Sequence, residues 1–136
     1  MLVVDAGPLV AAVATRDRNH QRCAELLASE PGSLLVPVLV VTEVAYFLQQ
    51  IGEATERAFA AAIRAGEFLV EPVEPTDWDR IDQLLETYAD LPLGIVDASV
   101  VAVCERLGER RLATLDHRHF SVVCPRHCEA LSLLPS

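Results

Sequence analysis

Leu93-Gly94-Ile95-Val96-Asp97-Ala98-Ser99-Val100-Val101-Ala102-Val103-Cys104 is a long apolar run that carries one acid. If Asp97 opens a helix, Val100, Val101 and Cys104 follow at offsets of three, four and seven, which share one helical face. The carboxylate then points toward the core or its rim. A charge there loses hydration, so backbone donors, a cation or a proton must compensate it. Any fold for this chain has to supply that compensation.

The 136 residues are read as one domain, long enough to bury a core. A hydrophobic fraction of 51% argues against disorder. No apolar run reaches the roughly 18 residues of a membrane span. Met1-Leu2-Val3-Val4-Asp5 has no basic segment and meets an acid at once, so it reads as a buried strand rather than a signal peptide. A cytoplasmic protein is the resulting expectation. Four cysteines without a secretory signal do not suggest disulfides. Cys124 and Cys128 beside His117, His119 and His127 match no recognised zinc spacing.

The net charge of -9 disfavours nucleic-acid binding by the whole surface but leaves a local site open. All 11 basic residues are Arg. The absence of Lys excludes a Walker-type phosphate loop and fits a phospho-accepting receiver domain poorly. An all-Arg set suits phosphate contact, because the guanidinium forks onto oxygens.

The apolar pattern places strands at Leu2 to Val4, Leu34 to Val36, Phe68 to Val70 and Arg111 to Leu115, with minor edge strands at Val122-Val123 and Leu131-Leu133. Helices are expected after Gly7-Pro8, from His20 to Ser29, after Pro37, from a Thr55 cap to Gly66, and around Ile81, Leu84, Leu85 and Tyr88. Thr76-Asp77-Trp78-Asp79 resembles a capping box for the last of these. Val40, Glu43, Val44, Phe47 and Ile51 share a stripe on the helix after Pro37. The helix holding Asp97 stops near Gly108, and His117-Arg118-His119-Phe120 reads as a short polar loop. Strands alternating with helices predict an α/β fold of three layers, α/β/α, around a mostly parallel sheet.

Sites in such sheets form beyond the carboxyl ends of the strands. Asp5 and Asp116 fall at strand ends, Asp97 at a helix start, and Glu43 on an inward helix face. Each has a structural alternative: Asp97 or Asp5 as a helix cap, Glu43 as a half-exposed helix residue, Asp116 as a turn former. Together they predict one acidic cleft. Clustered like charges need a proton or a cation. Oxygen donors with no organised His or Cys point to Mg²⁺ or Mn²⁺, which suits phosphodiester cleavage. An Asp-x-Asp phosphatase is disfavoured by Asp5-Ala6-Gly7, and no Gly-x-Ser-x-Gly elbow is present.

Val3-Val4-Asp5, Pro37 to Ala45 around Glu43, Ile95-Val96-Asp97-Ala98 and Ala113-Thr114-Leu115-Asp116-His117-Arg118-His119-Phe120 resemble a PIN domain. Their order and spacing are similar to VapC-type toxins of bacterial toxin–antitoxin pairs, from Asp5 to Phe120. The resemblance implies a metal-dependent endoribonuclease that leaves a 5′-phosphate and a 3′-hydroxyl. It places the metal site on Asp5, Glu43, Asp97 and Asp116, with Thr114 orienting the last acid. It also implies a homodimer and a cognate antitoxin that presents a basic side chain to the acids. Many relatives carry Ser or Thr after the first Asp; here it is Ala6.

Arg118, beside Asp116, is the leading candidate for substrate phosphate contact, with Thr114 assigned to the substrate side of the site. Arg16, Arg18 and Arg22 form a second basic cluster, either tracking an RNA backbone or ending a solvated helix. Arg110 and Arg111 could do the same or simply close a helix. His117 and His119 are read as exposed loop residues or as helpers of the site. Trp78 and Tyr88 are expected to be packed, leaving few aromatics for base stacking. The alternative is a catalytically inactive binding domain of the same fold, with its acids acting as caps.

Overall fold

Leu2, Val3 and Val4 have no exposed surface, as expected for a strand covered on both faces. In the computed structural model, which describes residues 1–136, they form β1 (Leu2–Val4), the middle of an all-parallel five-stranded sheet. The other strands are β2 (Leu34–Pro37), β3 (Phe68–Glu71), β4 (Arg111–Ala113) and β5 (Ser132–Leu134), in the order β3-β2-β1-β4-β5. The helices are α1 (Ala6–Val13), α2 (His20–Ser29), α3 (Val38–Ile51), α4 (Glu53–Arg64), α5 (Pro75–Thr87), α6 (Ile95–Leu107) and α7 (His117–Phe120). They complete the three-layer α/β/α fold.

The chain lays β2 and β3 on one side of β1, then crosses to place β4 on the other. This reversal between β1 and β4 is a topological switch point, where the carboxyl ends of two neighbouring strands leave a crevice. Asp5 follows β1 directly, and its amide donates to the Ala113 carbonyl of β4 at 2.9 Å. The two strand ends that frame the crevice are therefore bonded to each other.

α6 is buried over most of its circumference: Ala98, Ser99, Val100, Val101, Ala102, Val103 and Cys104 are all covered. It packs on α5 and touches α3. The Asp97 run is thus a central helix and not a one-faced one. Gly108 ends it in the left-handed region at φ 70°, and the next amide, of Glu109, returns to the Cys104 carbonyl at 2.9 Å.

Several local expectations are corrected. On α3 the buried seam is Val40, Val44 and Leu48; Phe47 and Ile51 lie on a more open flank. The capping box of α5 is Glu74 with Asp77, because Pro75 takes the first helical position where its missing N–H costs nothing. Gly52 rather than Thr55 opens α4, and the Thr55 hydroxyl donates back to the Leu48 and Gly52 carbonyls. Val122-Val123 is not a strand; Val123 is a core residue in the segment after α7. The C-terminal strand lies one residue later than expected and pairs with β4 in parallel. β4 itself ends at Ala113, so Thr114 and Leu115 belong to the loop. His117 to Phe120 is a short helix, not a loop.

Candidate active site

Each acid reaches the cleft on an element that ends or begins at the carboxyl edge of the sheet. Asp5 is the N-cap residue of α1, its side chain making no capping bond to the helix. Glu43 stands on the second turn of α3, directly beyond β2. Asp97 is the third residue of α6, whose N-cap is Gly94, so capping does not account for it. Asp116 follows β4 and caps α7, accepting from the His119 amide at 3.0 Å. The positive ends of α1 and α6 thus face Asp5 and Asp97 and offset part of their charge.

The structure brings all four acids to one open cleft of ≈ 670 Å³, walled also by Ala6, Gly7, Val10, Asp17, Phe47 and Leu115. Gly7 sits at a close approach: a Cβ there would stand 3.2 Å from Leu115 Cβ, a tight contact that Leu115 would have to yield to by a few tenths of an ångström. That contact lets the start of α1 nestle against the chain that carries Asp116.

No Arg of the chain is paired with these carboxylates; the one basic side chain beside them is the imidazole of His119. Burial pushes the Asp97 carboxyl up to about 6, reinforced by Asp5, Asp116 and Glu43 and eased by His119. Burial also raises Asp5, against the pull of the Ala6 amide and the Thr114 hydroxyl. Glu43 is raised by burial and then by Asp5. Three groups held above their ordinary range by desolvation and mutual repulsion make a site short of positive charge.

Thr114 has no exposed surface, so it does not reach substrate, contrary to the expectation from sequence. Its hydroxyl donates to Asp5 Oδ2 at 2.9 Å and accepts the Asp116 amide at 3.0 Å. It therefore orients the first acid through its side chain and the last through the backbone. This also supplies Asp5 with the hydroxyl that Ala6 lacks.

His119 is the residue that sequence reasoning left undecided. Its Nδ1 lies 2.7 Å from Asp116 Oδ2 and 3.5 Å from Asp97 Oδ2. Those three donor atoms are the only such cluster of His, Cys, Asp and Glu in the chain, all within 4.8 Å of one another. The donor set is thus not oxygen alone. The i, i+3 relation of Asp116 and His119 across one helical turn was the available signal.

Arg118 is exposed on α7 and makes no side-chain ion pair, leaving its guanidinium free. Arg16 and Arg18 are exposed on the loop whose Asp17 lines the cleft. Arg22 instead binds the Asn19 side chain and the Ser136 carbonyl, and Arg111 is tied to Glu30 at 2.5 Å. His117 is exposed and bonded to the Thr114 carbonyl. Trp78 is 47% exposed rather than packed. Tyr88 is half-buried, its hydroxyl accepting the Cys124 amide.

The geometry fits a divalent cation: carboxylates converge, their charges are raised in cost by burial, and an unbonded imidazole nitrogen faces them.

Comparison with known proteins gives a consistent picture. The PIN-domain family model matches residues 2–124. Ribonuclease VapC26 of Mycobacterium tuberculosis is 26% identical over 125 residues, covering 91% of this chain and 93% of that protein. The crystal structure of Mycobacterium tuberculosis VapC20, described as a sarcin-ricin loop cleaving toxin, superimposes with a TM-score of 0.74 at 25% identity, covering 82% of this chain and 87% of that one. A toxin–antitoxin complex from Klebsiella pneumoniae shares the fold, with a TM-score of 0.70 at 16% identity over 90% of this chain and 92% of that one.

Proposed function

This chain belongs to the PIN-domain family, and we propose that it is a divalent-metal-dependent endoribonuclease, the VapC-type toxin of a toxin–antitoxin pair. The observation that carries the reading is the cleft itself: Asp5, Glu43, Asp97 and Asp116 meet at the β1/β4 switch point with too little positive charge to balance them. Asp5 and Asp97 would hold Mg²⁺ or Mn²⁺, and Glu43 and Asp116 would complete the shell directly or through water. When bound, the ion supplies Lewis-acid activation of a water and screening of the phosphodiester charge.

The chain's own residues do the rest. Thr114 fixes the Asp5 carboxylate in one orientation. Burial holds the Asp97 carboxyl up at about 6, so a bound cation would take the place of its proton. Arg118 receives a phosphate oxygen beside Asp116, and Arg16 and Arg18 carry the RNA backbone past the rim at Asp17.

An antitoxin partner is supported by an apolar groove of ≈ 310 Å³ among α1, α2, α4 and β3, lined by Leu9, Val13, Leu27, Ala58, Phe59 and Phe68. The net charge of -9 favours a basic segment in that partner. A homodimer is supported by the exposed Tyr46, Phe47 and Ile51 on α3. No helix is long and apolar enough to cross a membrane; we place the protein in the cytoplasm, with its RNA.

Purified, partner-free protein incubated with a panel of structured and unstructured RNAs tests the function. Cleavage is expected with Mg²⁺ or Mn²⁺ and none with chelator. Asp97→Asn is expected to lose at least about 10³-fold in rate, since it removes a metal-facing charge. A folded protein that binds Mn²⁺ weakly or not at all and cuts no RNA is the inactive binding domain instead.

A further inference from the structure

We propose that His119 is a nitrogen ligand of the divalent ion, forming with Asp97 and Asp116 a mixed donor set that favours Mn²⁺ over Mg²⁺. The assignment rests on the reading of the cleft as a metal-dependent nuclease site, but it concerns a residue outside the four acids.

Three observations carry it. First, Nδ1 of His119 is sealed from solvent and has no hydrogen-bond partner, although Asp116 Oδ2 is only 2.7 Å away. The approach does not meet hydrogen-bond geometry, so the nitrogen is close to the carboxylate without being satisfied by it. A buried nitrogen left in that state asks for another partner. Second, the spacing suits one ion. Adjacent ligands of an octahedral cation bound at about 2.1 Å stand about 3 Å apart, and the nitrogen lies 2.7 Å and 3.5 Å from its two carboxylate neighbours. Third, the ring is held there by local structure. Asp116 Oδ1 accepts the His119 amide at 3.0 Å, which turns the other oxygen, Oδ2, and the imidazole to the same side. Phe120, 1% exposed, anchors the end of α7 in the core.

The neighbouring imidazole does not compete. His117 Nε2 is engaged with the Thr114 carbonyl at 3.2 Å, and its side chain lies at the surface. The consequence for metal choice follows from donor chemistry. Mg²⁺ is hard, takes oxygen and keeps its waters, whereas a first-row transition ion gains from an imidazole nitrogen. An oxygen-only cleft would discriminate less between the two.

Electron spin-echo spectroscopy on the full chain loaded with Mn²⁺ reads the ligand directly. Nitrogen modulation typical of a coordinated imidazole is expected in the wild type, retained in His117→Gln and absent in His119→Gln. Competition binding should show Mn²⁺ affinity falling about 10-fold or more in His119→Gln, with a markedly smaller loss for Mg²⁺. Bound Mn²⁺ without nitrogen modulation in the wild type overturns the assignment, as does an equal loss for both ions. If His119→Gln does not fold, the wild-type and His117→Gln spectra decide alone. RNA cleavage without nitrogen modulation leaves the nuclease standing and removes His119 from the shell. Nitrogen modulation in a protein that cuts no RNA does the reverse, and failure to bind Mn²⁺ at all overturns both.

Discussion

Asp5 and Asp77 are both aspartates with little exposed surface, 8% and 4%, yet the chain treats them oppositely. Asp77 sits in a belt of paired charges on the α5/α6 face. It receives the Arg106 guanidinium at 3.1 Å and the Glu74 amide at 2.9 Å. Arg106 also reaches Glu71 at 2.8 Å and the Pro72 carbonyl, while Arg80 grips Glu105 through two hydrogen bonds and Arg126 joins Glu105 and Gln83. Asp5 receives one side-chain donor, Thr114, and its charged neighbours are other acids. In the belt every buried charge is answered from within the chain. In the cleft the answer is missing, so the folded protein is poised for a cation from outside. Binding sites can be found by such an imbalance, and ion-pair networks near them serve as the control.

The largest test of this contrast breaks the belt. Arg106→Met leaves Asp77 and Glu71 without their cation. We expect a loss of about 2 kcal/mol in urea unfolding with chelator present, reduced from the full cost of orphaning a buried charge because Arg106 is partly exposed. Metal-saturated activity of the folded fraction should not change. An effect near zero would mean the belt contributes little to stability.

The same operation in the cleft should have the opposite sign. Asp97→Asn is expected to stabilise metal-free protein by about 1–2 kcal/mol at pH 7 to 8, a figure discounted for partial exposure. The folded-state value of about 6 lies above the ordinary 3.8, so the native state holds its proton more tightly than the unfolded chain. Between those values unfolding releases a proton, and stability falls as pH rises. Above about 6 the penalty is complete; below 3.8 it is absent. Asp5 and Glu43 are raised too and steepen the same slope. Thermal melts across this range in chelator should show the decline, Asp97→Asn should flatten it, and saturating Mn²⁺ should remove it. A variant less stable than wild type at pH 8 would contradict the charge deficit.

The smallest expected effect is at the rim. Arg118→Ala should leave stability within about 0.5 kcal/mol, as for other exposed positions. It should raise the KM for RNA a few-fold at low salt, with the difference shrinking as salt is added. Unchanged KM at low salt would remove Arg118 from the phosphate path.

The contrast also explains what could be read in advance. The central strands are continuous apolar runs that stop at Asp5 and shortly before Asp116, so the position of two acids could be read from hydrophobicity alone. Asp97 and Glu43 followed from helical spacing beside a core. Side-chain direction was harder. Phe47 and Ile51 have the same residue spacing as the buried seam of α3 but lie a fraction of a turn off it, a rotation that periodicity does not resolve. α7 has four residues, too few to show a period, so the inward turn of His119 was hidden with it. The role of Thr114 depends on a partner 109 positions away, which local pattern cannot supply.

That last bond has a consequence for the order in which the protein is made. β1 leaves the ribosome well before its neighbour β4, which begins only at Arg111. Until then Asp5 has neither the Ala113 carbonyl for its amide nor the Thr114 hydroxyl for its carboxylate. A growing chain carries three of the four acids without the strand that aligns the first of them. The nuclease is therefore latent until β4 and Thr114 have been made, and a prematurely terminated product ending before Arg111 should be harmless to the RNA around it.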